Sequence, residues 1–220
     1  MSVLPRARRP DRGRGESGQT LYELIAVVFL LSIVLVVVFE GVDSTARVLS
    51  GTERRLTNLG EARTLMAVAT KDLRTATRLQ AGTSPFVLAD QREVTFYANL
   101  NNPTSGPRKV HIYVDSAKQL IESVQVPDSG SVAPNYTYTG AAALRFVGRY
   151  VNNASSVPIF VYYDNAGTPL AAPLSSTDRL AVYSVKISLS IRKQTTLPVA
   201  DTTLVNQVRL PNVDYQQVTG

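Results

Sequence analysis

The chain has 220 residues, 44% hydrophobic and 18% charged, a composition that argues for a folded chain and against one that is mainly disordered. The net charge of +6 does not describe a phosphate-binding surface, because half of it comes from residues 1–18, where Arg6, Arg8, Arg9, Arg12 and Arg14 face only Asp11 and Glu16. The absence of cysteine excludes disulfides, thiolate metal sites and a cysteine nucleophile.

Behind the basic residues 1–18, the run Leu21 to Phe39 carries no charge after Glu23 until Glu40. A helix from Gln19 to Phe39 rises ~31 Å, about the thickness of a hydrocarbon core. Arginines before the span and none immediately after it orient the N-terminus to the cytoplasm and the remaining chain to the far side. A secretory signal peptide is a competing reading, with Ser44-Thr45-Ala46 as a poor cleavage site, but the uninterrupted run Leu24 to Phe39 is long for one. A plain N-terminal anchor is a second competitor.

No proline interrupts the chain between Pro10 and Pro85, so one helix is expected from about Leu21 to Leu79. In residues 41–80, Leu49, Leu56, Leu59, Ala62, Met66, Ala69, Leu73, Ala76 and Leu79 fall on one stripe. That stripe is expected to pack on a sheet. Arg54, Arg55, Glu61, Arg63, Lys71, Asp72, Arg74 and Arg78 are expected on the watered face.

From residue 81 the period changes from helical to two. Strands are expected at Glu93–Ala98, Lys109–Val114, Gln119–Val126, Leu144–Val151, Ile159–Tyr163, Leu180–Arg192 and Leu204–Leu210, separated by segments rich in Gly, Pro, Asn and Ser. One long helix followed by short strands predicts an α+β fold, with an antiparallel sheet wrapped on the C-terminal half of the helix.

Gly18-Gln19-Thr20-Leu21-Tyr22-Glu23-Leu24, placed between a basic leader and an apolar helix, resembles the processing site of type IV prepilins and pseudopilins. The helix end Thr70 to Ala76, the strands Glu93–Phe96 and Val110–Tyr113, and the last strands Val182–Arg192 and Thr203–Asn212 resemble minor pilins and J-type pseudopilins more loosely. The resemblance implies a pilin-like fold and removal of leader 1–18 by a prepilin peptidase cutting after Gly18. The new N-terminus is then Gln19, the residue that the family often methylates. It further implies a filament-core helix over 19–40, with Thr20, Leu21 and Glu23 in assembly, and an extracytoplasmic head over 81–220. Implied partners are other pilins or pseudopilins, the peptidase, an inner-membrane assembly platform and, before assembly, membrane lipid. Gln19 departs from the apolar residue usual at that place.

Chemistry is sparse by comparison. His111 is the sole histidine and has no second ligand or nucleophile beside it in the pattern. Asp164-Asn165-Ala166-Gly167 reads as a β-turn in preference to half of a calcium loop. No phosphate-binding, dinucleotide or nucleophile-elbow motif appears, and no nucleic-acid stripe. The sequence therefore predicts a structural, non-catalytic chain without cofactor or metal: a minor subunit of a type IV pilus or related filament. The alternatives are a type II secretion pseudopilin, or an anchored extracytoplasmic adhesion or binding protein that never polymerises.

Overall fold

The computed structural model describes residues 16–101, 105–193 and 201–213, with side chains from Leu21 onward. The chain divides into two compact units, residues 1–51 and residues 52–220. The expected leader lies outside the described residues as far as residue 15.

A single long helix, α1 (Glu16–Arg74), opens the fold. Its last turn carries Lys71 and Arg74, cations that suit the negative end of the helix dipole. The helix ends five residues before the expected Leu79 because the backbone there is claimed by a strand. Thr77 N donates to Tyr97 O at 2.8 Å, Asn99 N donates to Thr75 O at 2.9 Å, and Ala76 bridges Ala98.

In the unit from residue 52, two antiparallel sheets follow. The first is a meander of β1 (Phe86–Ala89), β2 (Glu93–Ala98), β3 (Arg108–Val114), β4 (Leu120–Gln125) and β5 (Ala143–Gly148), in that spatial order. The second contains β6 (Phe160–Tyr163), β7 (Pro169–Leu170), β8 (Ser184–Ile191) and β9 (Thr202–Arg209), ordered β7-β6-β8-β9. The architecture is thus α+β with antiparallel sheets, as expected, but with two sheets in place of one. The division falls after β5, where Tyr150 takes a φ of 66° and Val151 makes only an isolated bridge to Ile191. β6 then pairs with β8 and not with β5.

Strand alternation explains the core. Val94, Phe96 and Ala98 on β2 and Val110 and Ile112 on β3 are buried with Ile187, Leu189 and Ile191 of β8. Ala62, Leu65, Met66, Ala69 and Leu73 of α1 join this cluster. The helix touches both sheets: Glu61 Oε1 accepts from Arg149 N at 2.8 Å, and Thr70 Oγ1 accepts from Asn206 Nδ2 at 3.0 Å. The covered face of α1 begins at Asn58, so Leu49 and Leu56, expected in the packing stripe, stay 65% and 63% exposed. Asp72 and Arg78 depart in the other direction: expected in water, they are 3% and 6% exposed.

Two short elements escape the alternation pattern. β1 and β7 are too brief to show a period. Ser176–Ala181, whose end was expected to begin a strand, forms a helix, α2. Ser175 explains it, since its hydroxyl accepts from Asp178 N at 3.1 Å and caps the first turn.

Gly148 marks the closest approach of β5 to the helix. A Cβ there would meet Leu65 Cδ2 at 2.6 Å, whereas one on Gly60 meets nothing within 4 Å. Gly148→Ala is therefore expected to destabilise the fold by about 1–3 kcal/mol through overpacking. Gly60→Ala, in the open helix interior, should stabilise it by about 0.5–1 kcal/mol. Denaturant unfolding of the two variants beside wild type checks both signs.

Candidate functional site

The residues singled out by sequence cluster in the first two turns of α1. Gly18, Gln19 and Thr20 lie in its helical backbone, though the side chains of residues 19 and 20 are outside the described set. Residues 19 and 23 are four apart and share a helix face. Leu21 and Glu23 are exposed, and Glu23 has no hydrogen-bond or ion-pair partner among the described residues.

Beyond Glu23 every residue to Phe39 is exposed, from Ile33 at 46% to Phe39 at 69% among the large apolar ones. Mean hydropathy reaches 2.9 over the most apolar 18-residue stretch, none of it buried by the rest of the chain. A helix apolar all round needs an apolar surround. Polar groups inside it are satisfied internally, as Ser32 Oγ donates to Phe29 O at 2.6 Å. By length and composition, this segment of α1 is able to cross a membrane.

In the unit from residue 52, the sequence-marked residues do not converge on a reactive centre. His111 Nε2 sits 2.9 Å from Glu93 Oε2, and its ring stacks on Tyr113 with centroids 4.6 Å apart. These are neighbours on the outer face of the first sheet. Asp164 to Gly167 is a turn: Gly167 N donates to Asp164 O at 3.1 Å and Gly167 has a φ of 80°. Among the described residues no three His, Asp or Glu side chains group as metal ligands. Of the tyrosines, Tyr162 is wholly buried and donates to Asp90 O at 2.9 Å, while Tyr138 packs on Tyr97 and donates to Pro107 O at 2.7 Å. Burial, then the nearby Tyr97 and Tyr136, push the Tyr138 phenol upward.

One polar cluster was missed by sequence reasoning. Asp72 on α1 and Glu122 on β4 are each 3% exposed and line one cleft, where each carboxyl acts on the other. Arg145 on β5, opposite Glu122 in the strand register, pairs with that glutamate. Burial, first of all, and then the Glu122 charge push the Asp72 carboxyl up to about 7, with Arg145 and Lys71 pulling the other way. The signal was present in the pattern. Leu65, Ala69, Asp72 and Ala76 follow helical spacing, and Leu120, Glu122 and Val124 share one strand face.

No known family model matches this chain, and neither a curated protein nor a solved structure resembles it.

The exposed helix yields a direct expectation. Replacing both Leu31 and Val34 with arginine adds roughly 5–7 kcal/mol to insertion at the helix centre. The carbonate-resistant membrane fraction of the full chain should fall more than tenfold. Unchanged retention of the doubly substituted chain would show that this helix is not what holds it to membranes.

Proposed function

We propose that the chain is a prepilin: a minor structural subunit of a type IV pilus or related filament, assembled through α1 after removal of its leader. The observation that carries this reading is one juxtaposition. Gly18-Gln19-Thr20-Leu21-Tyr22-Glu23-Leu24 stands at the start of a helix whose apolar surface has no partner among the described residues.

The proposed mechanism follows from electrostatics and burial. Cleavage between Gly18 and Gln19 removes a basic leader and creates an α-amine with an ordinary pKa of ~7.7–8.0, largely protonated at neutral pH. Helix ends fray readily, so a bond in the first turn of α1 is open to a peptidase at little cost. In the membrane, Glu23 sits at the headgroup edge, its stem reaching toward water. In a filament, the apolar helices of neighbouring subunits replace lipid. The Glu23 carboxylate of one subunit then meets the Gln19 amine of the next. At 4 Å and an effective dielectric of 20 the attraction is about 4 kcal/mol, enough to set the axial register against a sliding apolar interface. Thr20 and Leu21 lie between the paired groups and pack at that contact. The two-sheet unit forms the extracytoplasmic head, and its loops would carry whatever contacts a minor subunit makes outside the filament core. Other pilins or pseudopilins, the peptidase and an inner-membrane assembly platform are the partners this mechanism requires. No cofactor enters it.

Glu23→Ala supplies the test, in cells that make the filament. The variant should be processed at Gly18 like wild type, yet its amount in the sheared or purified filament fraction should drop at least tenfold while the membrane pool is retained. Equal incorporation of wild type and variant would remove Glu23 from assembly. A wild-type chain that never leaves the membrane would favour an anchored adhesion or binding head.

A further inference from the structure

The Asp72–Glu122 contact joins the last turn of α1 to the middle of β4 through two buried carboxyl groups. Two buried carboxylates side by side repel and have no hydrogen between them, so only a proton lets one bond the other. Asp72 Oδ2 is buried and accepts from no donor among the described residues, which leaves the neighbouring carboxyl to satisfy it. Glu122 is neutralised by Arg145, and the exposed Lys71 is the other cation that acts on Asp72. A cleft of about 290 Å³ opens onto both carboxyls, giving them access to solvent protons. Arg108 of β3 and Asn101 line the same cleft, with Leu144 and Val126 at its rim.

We propose that Asp72 and Glu122 form a one-proton latch that fastens the end of α1 to β4, and that loss of this proton loosens the seam and the cleft above it. The groups facing Asp72 from the packed elements are Glu122 on β4, Arg145 on β5, Arg108 on β3 and Lys71 on α1 itself. Protonated, Asp72 donates to the Glu122 carboxylate, which Arg145 also holds. Deprotonated, the two carboxylates repel across a buried contact that the half-exposed Arg145 and the exposed Lys71, both screened by water, balance only in part. The sign of the pH response follows. Asp72 ordinarily ionises near 3.8 and is held up to about 7 in the fold. Between those values the folded chain keeps a proton that the unfolded chain has released. Stability conferred by the latch is therefore complete in acid, falls as pH rises across that interval and is gone above it. The latch belongs to the head alone and does not depend on whether the chain polymerises.

The experiment uses the full chain in detergent micelles, unfolded by heat at pH 5, 6, 7 and 8, with wild type beside Asp72→Asn. Asparagine keeps the shape and a donor for Glu122 but carries no titrating proton. The wild-type unfolding constant should rise by roughly tenfold or more between pH 5 and 8 relative to the variant, a relative fall in Tm of about 3 °C or more. At pH 8 the variant should melt above wild type. Parallel profiles, or a variant that melts below wild type at pH 8, would overturn the latch. Hydrogen exchange of the wild-type chain, corrected for intrinsic rate, gives a second reading independent of the variant's folding. Opening should increase at pH 8 in residues 66–74 and 120–125 and stay constant in β8 and β9, and a uniform or absent change would contradict the proposal.

Discussion

An apolar helix segment with no partner among the described residues is the constraint from which the rest follows. Burying one leucine, valine or phenylalanine is worth about 1.5–3 kcal/mol, and the stretch from Leu21 to Phe39 exposes such side chains around its whole circumference. The sum is tens of kcal/mol, several times the ~5–15 kcal/mol that holds an ordinary domain together. No rearrangement of the head could absorb a debt of that size. An apolar environment, whether lipid or other helices, is a physical requirement. Which of the two is the working state is the content of the pilin proposal.

The other unit meets its needs internally. Its sheets bury Phe96, Phe160, Tyr162, Ile187 and Leu189 with the covered face of α1, and two of its glycines sit where the backbone requires them. Gly148 lets β5 reach Leu65, and Gly167 supplies the left-handed residue of the turn after β6. Several polar groups carried into the interior are matched: Thr70 with Asn206, Asn153 with the Ser188 and Ser190 backbone, Glu122 with Arg145. Asp72 is the group whose satisfaction needs a proton, and it lies where helix and first sheet meet.

Much of this arrangement was legible before any coordinates. The helix could be read because Leu21 to Phe39 has no charge and no proline follows until Pro85. The strands β2, β3 and β8 could be read because every second residue is apolar and buried: Val94, Phe96 and Ala98, then Val110 and Ile112, then Val185, Ile187, Leu189 and Ile191. What failed to be legible depends on partners distant in sequence. The choice of β8 over β5 as the neighbour of β6 is made by pairing, not by local preference. The end of α1 is set by the hydrogen bonds from residues 75–77 to the end of β2. Leu49 and Leu56 carry the apolar period of a packed helix but fall ahead of Asn58, where burial begins. Asp72 differs for another reason: its charge suggests water, whereas its place in the helical repeat points inward. For the candidate assembly site, sequence placed Gly18, Gln19, Thr20, Leu21 and Glu23 together at the helix start, and the fold keeps them there.

The measurement that bears most directly on the central claim is the intact mass of the membrane-extracted chain, made with and without a co-expressed prepilin peptidase. The account predicts loss of residues 1–18 only when the peptidase is present and Gly18 is intact, with a Gly18→Ala chain left at full mass and an added methyl group marking Gln19 if that terminus is modified. A wild-type chain that keeps its full mass beside an active peptidase would contradict it and leave an anchored head whose helix has lipid as its permanent partner.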